Sequence, residues 1–205
     1  TPLYSSAASD VYKRQVLVTV CDPMTEFTAS QRSDIVNWVA NGGKLIIYDS
    51  ECKENGTVDY SWLPCKATSF SPGAWGATKA GYPWVDLTIV ENNTLSDNNP
   101  ASPYFINTTK IAYETDAVGD QNVFIAKDPC WCADMIGTNV LNAKGQPAAP
   151  GTTGFSHAYN HYNKGLIIYN GLDINALSAG SNPTLDTGVG HFAKIWLLEL
   201  NQTWD

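Results

Sequence analysis

Charge is scarce in this sequence. Only 16% of its 205 residues are Asp, Glu, Lys or Arg, against about a quarter in an average soluble domain. Basic residues are scarcer still, 12 against 20 acidic ones, which gives a net charge of −8. This balance argues against nucleic acid as a partner, because phosphate binding needs a basic face. No apolar run reaches the length of a membrane span, so no membrane span is expected in this sequence.

One stretch of the chain has a clear strand–helix–strand pattern. Val16–Val20 and Leu45–Tyr48 are continuous apolar runs, as found in strands that are covered on both faces. Between them, Thr28 and Gln31 have the spacing of a capping box at a helix start. Asn41-Gly42-Gly43 supplies the glycine that commonly ends a helix. This order of elements predicts a crossover connection in a parallel sheet.

The later part of the chain predicts a hairpin and a closing helix. Thr153–Tyr159 and Leu166–Asn170 flank a polar turn, which is typical of two antiparallel strands. Gly188–Leu200 carries Phe192 and Trp196 at helical spacing, so a helix with a buried stripe is expected there. Other short runs are predicted to be strands, namely Leu87–Val90, Lys110–Tyr113, Asn122–Ala126 and Ala133–Thr138.

The first residues do not match the rest of the chain. We interpret Thr1–Gln15 as a non-native leader, because its string SSAASDVYKRQ resembles an adapter-derived translation found at the broken ends of metagenomic genes. The true start, and with it a first strand, would then be missing. Residues 16–205 are predicted to form a single α/β domain. Within this domain, residues 51–113 are predicted to be a long looped insertion, because Trp, Pro, Gly and Ser alternate there without helical or strand periodicity.

The five cysteines allow one disulfide to be predicted. Cys52 and Cys65 flank a polar, turn-rich loop, and we expect them to pair and to pin the insertion. Cys130 and Cys132 are too close in sequence to bridge each other easily. Cys21 follows an apolar run and is predicted to be a buried thiol. An odd cysteine count leaves the redox compartment open.

Carboxylates follow three of the apolar runs. Asp22, Asp49 and Asp173 each come after a predicted strand, and Glu51 is close to Asp49. Ligands of open parallel sheets bind beyond the carboxyl ends of the strands. The four residues can therefore converge on one edge and bind a hard cation such as calcium through oxygen. The alternative, which we favour, is that each Asp caps the turn that follows it.

Aromatic residues of the insertion suggest a second kind of site. Aromatic faces suit the C–H surfaces of sugars, and exposed ones are informative. The alternative is that these side chains pack the insertion onto the sheet, since large aromatic residues are mostly buried. The residues of this possible carbohydrate platform are Trp62, Trp75, Tyr82 and Trp84.

Histidines and an acidic turn are weaker candidates. His157 and His161 can be considered for zinc together with His191, but no H-E-x-x-H pattern is present, so we favour ordinary histidines. A turn with three carboxylates lacks the ligand spacing of an EF-hand, and we interpret it as solvated. Its residues are Glu114, Asp116 and Asp120.

Three pieces of the chain together resemble one known superfamily. They are SQRSDIVNWVANGGKLIIYDS, HAYNHYNKGLIIYNGLD and the closing amphipathic helix. In this order they are similar to the class I glutamine amidotransferase-like superfamily, particularly its non-catalytic or ThuA-like relatives. The resemblance implies a three-layer, flavodoxin-like α/β fold with a mostly parallel sheet and a C-terminal hairpin.

The catalytic residues of that superfamily find no counterpart. A glutaminase needs a cysteine on a sharp, glycine-flanked turn between a strand and a helix. Cys21 in TVCDPM, and Cys130 and Cys132 in DPCWCADM, lack such glycines, and no histidine is followed two residues later by an acid. We therefore expect no catalytic residues from this resemblance.

The resulting functional prediction is a catalytically inactive amidotransferase-like domain. It would belong to an extracellular or cell-surface protein and serve as a structural or ligand-binding module. Its partners would be other domains of that protein, with glycans as candidate ligands, and no cofactor is expected beyond calcium. The alternative is a ThuA-like enzyme that acts on carbohydrate through Asp22, Asp49 and Asp173.

Overall fold

The structure, a computed structural model, describes residues 15–20, 26–49, 56–71, 86–113, 122–138, 153–172 and 188–203. The strands in these ranges are β1 Val16–Val20, β2 Lys44–Tyr48, β3 Gly56–Asp59, β4 Ala67–Ser71, β5 Asp86–Ile89, β6 Val123–Lys127, β7 Cys132–Thr138, β8 Thr153–Tyr162 and β9 Gly165–Asn170. The helices are α1 Ala29–Ala40, α2 Thr108–Tyr113 and α3 Gly188–Asn201.

The described strands form one mixed sheet with a small parallel part. β2 lies between β1 and β9 and is parallel to both. β8 is antiparallel to β9 along its second half and to β6 at Phe155. Its other edge pairs with β7, which pairs in turn with β5. β9 and β6 therefore follow one another along the same edge of β8, and antiparallel pairing continues from β6 through β4 to β3.

This sheet shows that the predicted fold class is wrong. We expected a mostly parallel sheet in a three-layer, flavodoxin-like or amidotransferase-like arrangement, but strands dominate and most pairings are antiparallel. The signals behind the expectation were local, and they do not fix how distant strands pair. The expected looped insertion instead contributes β3, β4 and β5 to the same sheet, and its Lys110–Tyr113 end is helical.

Several local predictions are confirmed. Thr28 and Gln31 form the capping box at the start of α1, and β8 and β9 form the expected hairpin. Asn163 adopts a φ of 53° at its turn, a conformation that Asn tolerates better than most residues. The hairpin lies against the end of α1, where a Cβ on Gly165 would be only 2.0 Å from the carbonyl oxygen of Val39.

The two faces of β2 contribute to different parts of the core. Leu45 and Ile47 pack on the side of α1, whereas Ile46 and Tyr48 pack with residues of α3. All five residues of β2 are buried, as predicted for a strand that is covered on both faces. β1 differs from the prediction, because Val16, Leu17, Val18 and Val20 are 36–49% exposed.

The disulfide prediction is wrong in its pairing. Cys65 is bonded to Cys130, with their Cα atoms 6.0 Å apart, so it is not available to Cys52. No local pattern joins these cysteines, because the turn after β6 meets the turn before β4 only once the sheet has formed. Trp131 adds to this contact by donating from its indole nitrogen to the carbonyl oxygen of Cys65 at 3.0 Å. Cys132 is a free, exposed thiol, while Cys21 and Cys52 lie outside the described residues.

None of the helices in the described part of the chain combines the length and the apolar character that crossing a bilayer requires.

Candidate functional site

Asp49 lies directly beyond the carboxyl end of β2, within the buried part of the molecule. Its side chain is fully buried, and its backbone N–H donates to the carbonyl oxygen of Asn170 at the end of β9. The end of β9 meets the start of β6 in space, because the N–H of Asn122 donates to the carbonyl oxygen of Gly171 at 2.9 Å. Asp49 thus lies where the parallel and antiparallel parts of the sheet meet.

Four other polar side chains act on the Asp49 carboxylate, and together with it they are called the Asp49 cluster. All five are completely buried. In the part of the chain that the structure describes, the other four are the hydrogen-bonding neighbours that act on the carboxylate, although none of these contacts has the distance and angle of a well-formed hydrogen bond. The Asp49 cluster consists of Asp49, Tyr60, Ser69, Asn122 and Tyr169.

The carboxylate of Asp49 is held in an unfavourable environment. Burial raises its pKa from 3.8 to about 6, although Ser69, Tyr60, Tyr169 and Asn122 act in the opposite direction by favouring the ionised form. They do so as hydrogen-bond donors, although their contacts with the carboxylate fall short of the distance and angle of a well-formed hydrogen bond. The negative charge of Asp49 is therefore balanced by neutral groups alone.

Aromatic packing fixes the two phenols of the Asp49 cluster. The ring of Tyr169 stacks on Phe124 with centroids 3.6 Å apart, and Tyr60 meets Tyr169 edge-on at 6.2 Å. Buried hydroxyls usually find a partner. Here the rings are held by their apolar neighbours, and the hydroxyls stay with the carboxylate rather than reach a partner elsewhere.

A second buried polar group lies on the opposite face of the sheet, at α3. His157 on β8 is fully buried between two carboxylates. Its Nδ1 is 2.7 Å from Oδ1 of Asp134, and its Nε2 is 2.6 Å from Oε1 of Glu199. Asn170 donates to Oε1 of Glu199 at 2.8 Å, and the Tyr48 hydroxyl donates to its other oxygen. We call this set the His157 network.

His157 carries a positive charge in this network. Burial opposes the charge, but Asp134 and Glu199 outweigh it and raise the pKa of His157 to about 10. As an imidazolium, the ring donates from both nitrogens, whereas a neutral ring would turn a lone pair towards one carboxylate. The His157 network therefore matches its donors and acceptors, and it joins α3 to the sheet.

Lys44 adds a third connection to α3. Its buried ammonium donates to the carbonyl oxygens of Glu199, Leu200 and Gln202 at 2.5, 2.8 and 2.9 Å. These carbonyls belong to a helix end, which has no internal donors for them and favours a positive charge. Burial lowers the pKa of Lys44 to about 8, against the opposing effect of Glu199.

Replacing Lys44 with methionine should destabilise the protein by about 2 kcal/mol, because the helix-end carbonyls would lose their donor while the cost of burying a charge would also disappear. Urea unfolding at neutral pH measures this difference. The control is Lys164→Met, since Lys164 is exposed in the hairpin turn. An equal loss in both variants would contradict a specific role for Lys44.

No protein-family model matches this chain. No curated protein matches it either. The resemblance to the glutamine amidotransferase-like superfamily therefore stays a prediction. Cys130 is bonded to Cys65 and Cys132 lies within β7, so neither occupies a turn between a strand and a helix.

The structure describes only one of the four carboxylates predicted at the sheet edge. Asp49 is described and fully buried at the end of β2, and its side chain caps no turn among the described residues. Asp22, Glu51 and Asp173 lie outside the described residues, and so does the acidic turn with Glu114, Asp116 and Asp120. Among the described residues, no group of three or more His, Cys, Asp or Glu side chains can hold a metal ion.

Of the possible carbohydrate platform, only Trp62 is described. It is half-buried and packs against the core, and the guanidinium of Arg32 lies 5.5 Å from its ring centroid. Such a cation–π contact covers the aromatic face that a sugar would use. Trp75, Tyr82 and Trp84 lie outside the described residues.

The three histidines have different surroundings and different structural roles. Both ring nitrogens of His157 are engaged by carboxylates, which leaves neither for a zinc ion. His161 is exposed on the same strand. His191 is buried and accepts a hydrogen bond from the backbone N–H of Asn107 at 3.1 Å. The favoured interpretation as ordinary histidines fits His161 and His191, but His157 has a specific structural role.

Most partners of Asp49 and His157 were not anticipated from sequence. One signal was present, because LIIYD at Leu45–Asp49 is repeated as LIIYN at Leu166–Asn170. The repeat marks two strands that end in a tyrosine and an acid or amide. Tyr60 and Ser69 lie in the segment interpreted as a loop, so no periodic pattern pointed to them.

Proposed function

We propose that this protein is a ligand-binding module whose binding site is the Asp49 cluster. One observation carries the proposal: a fully buried carboxylate at the end of a parallel strand, on which four neutral hydroxyl and amide groups act and no basic side chain of the described ranges does. A buried charge without an opposite charge is costly, and a ligand that contacts it can offset that cost.

The position of the Asp49 cluster supports the same proposal. Asp49 follows a parallel strand, next to the end of β9, and ligands of open sheets bind beyond the carboxyl ends of such strands. The free-energy cost of keeping the buried Asp49 carboxylate ionised also supports the proposal. Native proteins retain groups that destabilise the fold mainly where function needs them.

The second candidate function is that of an enzyme that acts on carbohydrate, and the raised pKa of Asp49 favours it. A carboxyl group with a pKa of about 6 can exchange protons near neutral pH, which is what a general acid or base needs. Hydrolysis of a glycosidic bond usually takes two carboxylates. Asp22, Glu51 and Asp173 are the sequence candidates for the second one.

We further propose that the module works outside the cell, as part of an extracellular or surface protein with other domains as partners. The Cys65–Cys130 disulfide supports this location, because such bonds form and persist in oxidising compartments. The proposal includes the amidotransferase-like origin suggested by the sequence pieces, without its catalytic cysteine.

The test is a thermal-shift screen with wild-type protein and Asp49→Asn at about pH 8, where the carboxyl group is ionised. The probes are sodium, potassium and calcium chloride, and neutral monosaccharides. At least one probe should raise the melting temperature of the wild type and leave Asp49→Asn unchanged. The matched control is Asp34→Asn, which replaces an exposed carboxylate on α1 and should respond as the wild type does.

The proposal fails in two cases. In one, no probe shifts the wild type. In the other, Asp49→Asn and the wild type respond equally to every probe, which would place the binding elsewhere. Enzyme activity on a carbohydrate that survives Asp49→Asn would remove the second candidate.

A further inference from the structure

We propose that a cavity beside the Cys65–Cys130 disulfide binds one ring of an acidic sugar, a uronic acid, through its carboxylate. The cavity has a volume of about 300 Å³, opens to solvent, and is formed by β4, β6 and the turns next to them. We call it the lysine cavity. Its lining includes Ser61, Lys66, Thr68, Ala126, Lys127 and Asp128.

The lysine cavity is a different site from the Asp49 cluster, so this inference goes beyond the proposed function. Asn122 of the Asp49 cluster directly precedes β6, whereas Lys127 is the last residue of that strand. The four residue steps of β6, from Val123 to Lys127, span about 13 Å. A ligand of one site therefore need not touch the other, and each site can be tested separately.

Small side chains leave room in the lysine cavity. Ala126 is exposed and pairs with Thr68 across the ladder between β6 and β4, and Ala67 also lines the cavity. The register shifts directly after Thr68, and such irregularities are frequent beside functional sites. A volume of about 300 Å³ is at the lower end of the usual range for ligand pockets. One sugar ring therefore fits, with these methyl groups facing its C–H groups, and the rest of a longer glycan would extend into solvent.

Two lysines give the lysine cavity a positive charge in an acidic protein. The chain has 12 basic against 20 acidic residues, yet Lys66 and Lys127 line one cavity with a single carboxylate, Asp128. Among the described residues, the exposed ammonium of Lys66 has neither a hydrogen bond nor an ion pair. One positive charge in excess matches a monoanion such as a sugar carboxylate, whereas Asp128 would repel the second charge of a phosphate.

Lys127 is held in position before any ligand binds. Its ammonium donates to the carbonyl oxygen of Trp131 at 2.9 Å and lies 4.8 Å from the ring centroid of Phe155. A lysine ammonium has three N–H donors, so two remain for a ligand. A carboxylate accepts such charge-assisted hydrogen bonds more strongly than a neutral group does.

The uncharged polar groups of the lysine cavity suit sugar hydroxyls. In the described ranges, the hydroxyl of Thr68 has no hydrogen-bond partner, so it can donate and accept. The hydroxyl of Ser61 donates to Asp59 at 3.0 Å, and its oxygen can still accept. Asp128 adds further acceptor capacity through its carboxylate. These groups distinguish a hydroxylated acid from a simple anion.

The walls of the lysine cavity are tied together covalently and by hydrogen bonds. Cys65 and Cys130 form the disulfide that joins the turn before β4 to the turn after β6. The backbone N–H of Lys66 donates to the Asp128 carboxylate at 3.0 Å, and the N–H of Asp128 donates to the carbonyl oxygen of Lys66 at 2.9 Å. A cavity that is rigid before binding loses less entropy when a ligand enters it.

The experiment is an NMR titration of the wild-type protein with sodium glucuronate, glucose, sodium acetate and sodium phosphate, at equal ionic strength and about pH 7. Glucuronate should bind saturably and shift the amide resonances of Thr68 and Lys127. Glucose lacks the charge and acetate lacks the hydroxyls, so each should bind at least about tenfold more weakly. Phosphate should also bind more weakly than glucuronate, because Asp128 faces the same cavity.

Two variants locate the binding. Lys66→Gln removes an exposed charge without a partner in the described ranges, and it should weaken glucuronate binding about fivefold and leave the melting temperature unchanged. Ala126→Phe keeps every charge but fills the cavity, and it should weaken binding at least about tenfold. The matched control is Lys164→Gln, which removes an exposed lysine in the hairpin turn and should bind glucuronate as the wild type does.

The outcomes decide the inference independently of the proposed function. The absence of saturable glucuronate binding overturns it, and so does equal or tighter binding of acetate or phosphate, which would indicate a general anion site. Equal affinity in the wild type and Lys66→Gln places the binding elsewhere, and this result stands even where Ala126→Phe fails to fold. Asp49→Asn should bind glucuronate with unchanged affinity, so either site can fail without the other.

Discussion

Replacing His157 with glutamine should cost about 4 kcal/mol of unfolding free energy at about pH 6.5. The change removes the cation between Asp134 and Glu199 and leaves two buried carboxylates without their shared partner. Breaking one side of a buried ion pair typically costs about 3–5 kcal/mol, because the remaining charge is neither solvated nor paired. Chemical unfolding of the two proteins measures the difference.

The effect of His157→Gln should depend on pH in a defined direction. The folded protein holds the proton on His157 with a pKa of about 10, against 6.5 for a free histidine. Its contribution to stability is therefore fully present below about pH 6.5 and is lost as the pH rises towards about 10. The gap between wild type and variant should narrow over that range.

The control for His157 is His161→Gln on the same strand. His161 is exposed, so its replacement should change stability by less than about 0.5 kcal/mol. A small loss in His157→Gln, comparable to that of His161→Gln, would mean that the His157 network does not hold α3 to the sheet.

Replacing Asp49 with asparagine should change the free energy of unfolding in the opposite direction and stabilise the protein. At about pH 8 and without added ligand, we expect Asp49→Asn to be more stable than the wild type by about 3 kcal/mol, since each pKa unit corresponds to about 1.4 kcal/mol. The pKa of the Asp49 carboxyl rises from 3.8 to about 6 on folding, so the folded protein binds the proton more tightly than the unfolded chain does.

The pH dependence follows from that difference in proton binding. The stability contributed by protonated Asp49 is fully present below about pH 4 and is lost as the pH rises through about 6. The gain from Asp49→Asn should therefore be near zero at about pH 4 and reach its full size above about pH 6. Asp34→Asn, on the exposed face of α1, should show no such gain, and a loss of stability in Asp49→Asn would contradict an uncompensated charge.

Local structure was predictable where the signals were local. The capping box at Thr28, the turn after α1 and the β8–β9 hairpin were read from neighbouring residues, and all are present. The pairing of β6 with β4 and β8 joins segments far apart in sequence, and no local pattern specifies it. This pairing decides between a mostly parallel sheet and the observed mixed one.

The Asp49 cluster depends on the pairing register of β2 and β9, which cannot be predicted from the two strand sequences alone. LIIYD and LIIYN are almost the same motif, but Tyr48 pairs with Asn170 rather than with Tyr169. A one-residue offset in a strand moves a side chain to the opposite face. Tyr48 therefore points to Glu199 on the α3 side, and Tyr169 joins Asp49 on the other side.

The two buried polar groups differ in a way that only tertiary structure reveals. The carboxylates at His157 are matched by a cation and by donors from β2, β8 and β9, which is the pattern of a structural group. The carboxylate at Asp49 is acted on by neutral groups alone, with no cation of the described ranges to match its charge. Sequence reasoning named Asp49 and His157 as candidates but had no means of seeing this difference.

The most direct test of the Asp49 site is the thermal-shift comparison of the wild type, Asp49→Asn and Asp34→Asn at about pH 8, where Asp49 is ionised. Our account predicts that at least one probe raises the melting temperature of the wild type and of Asp34→Asn but not that of Asp49→Asn. Equal shifts in all three proteins, or no shift in the wild type, would contradict it.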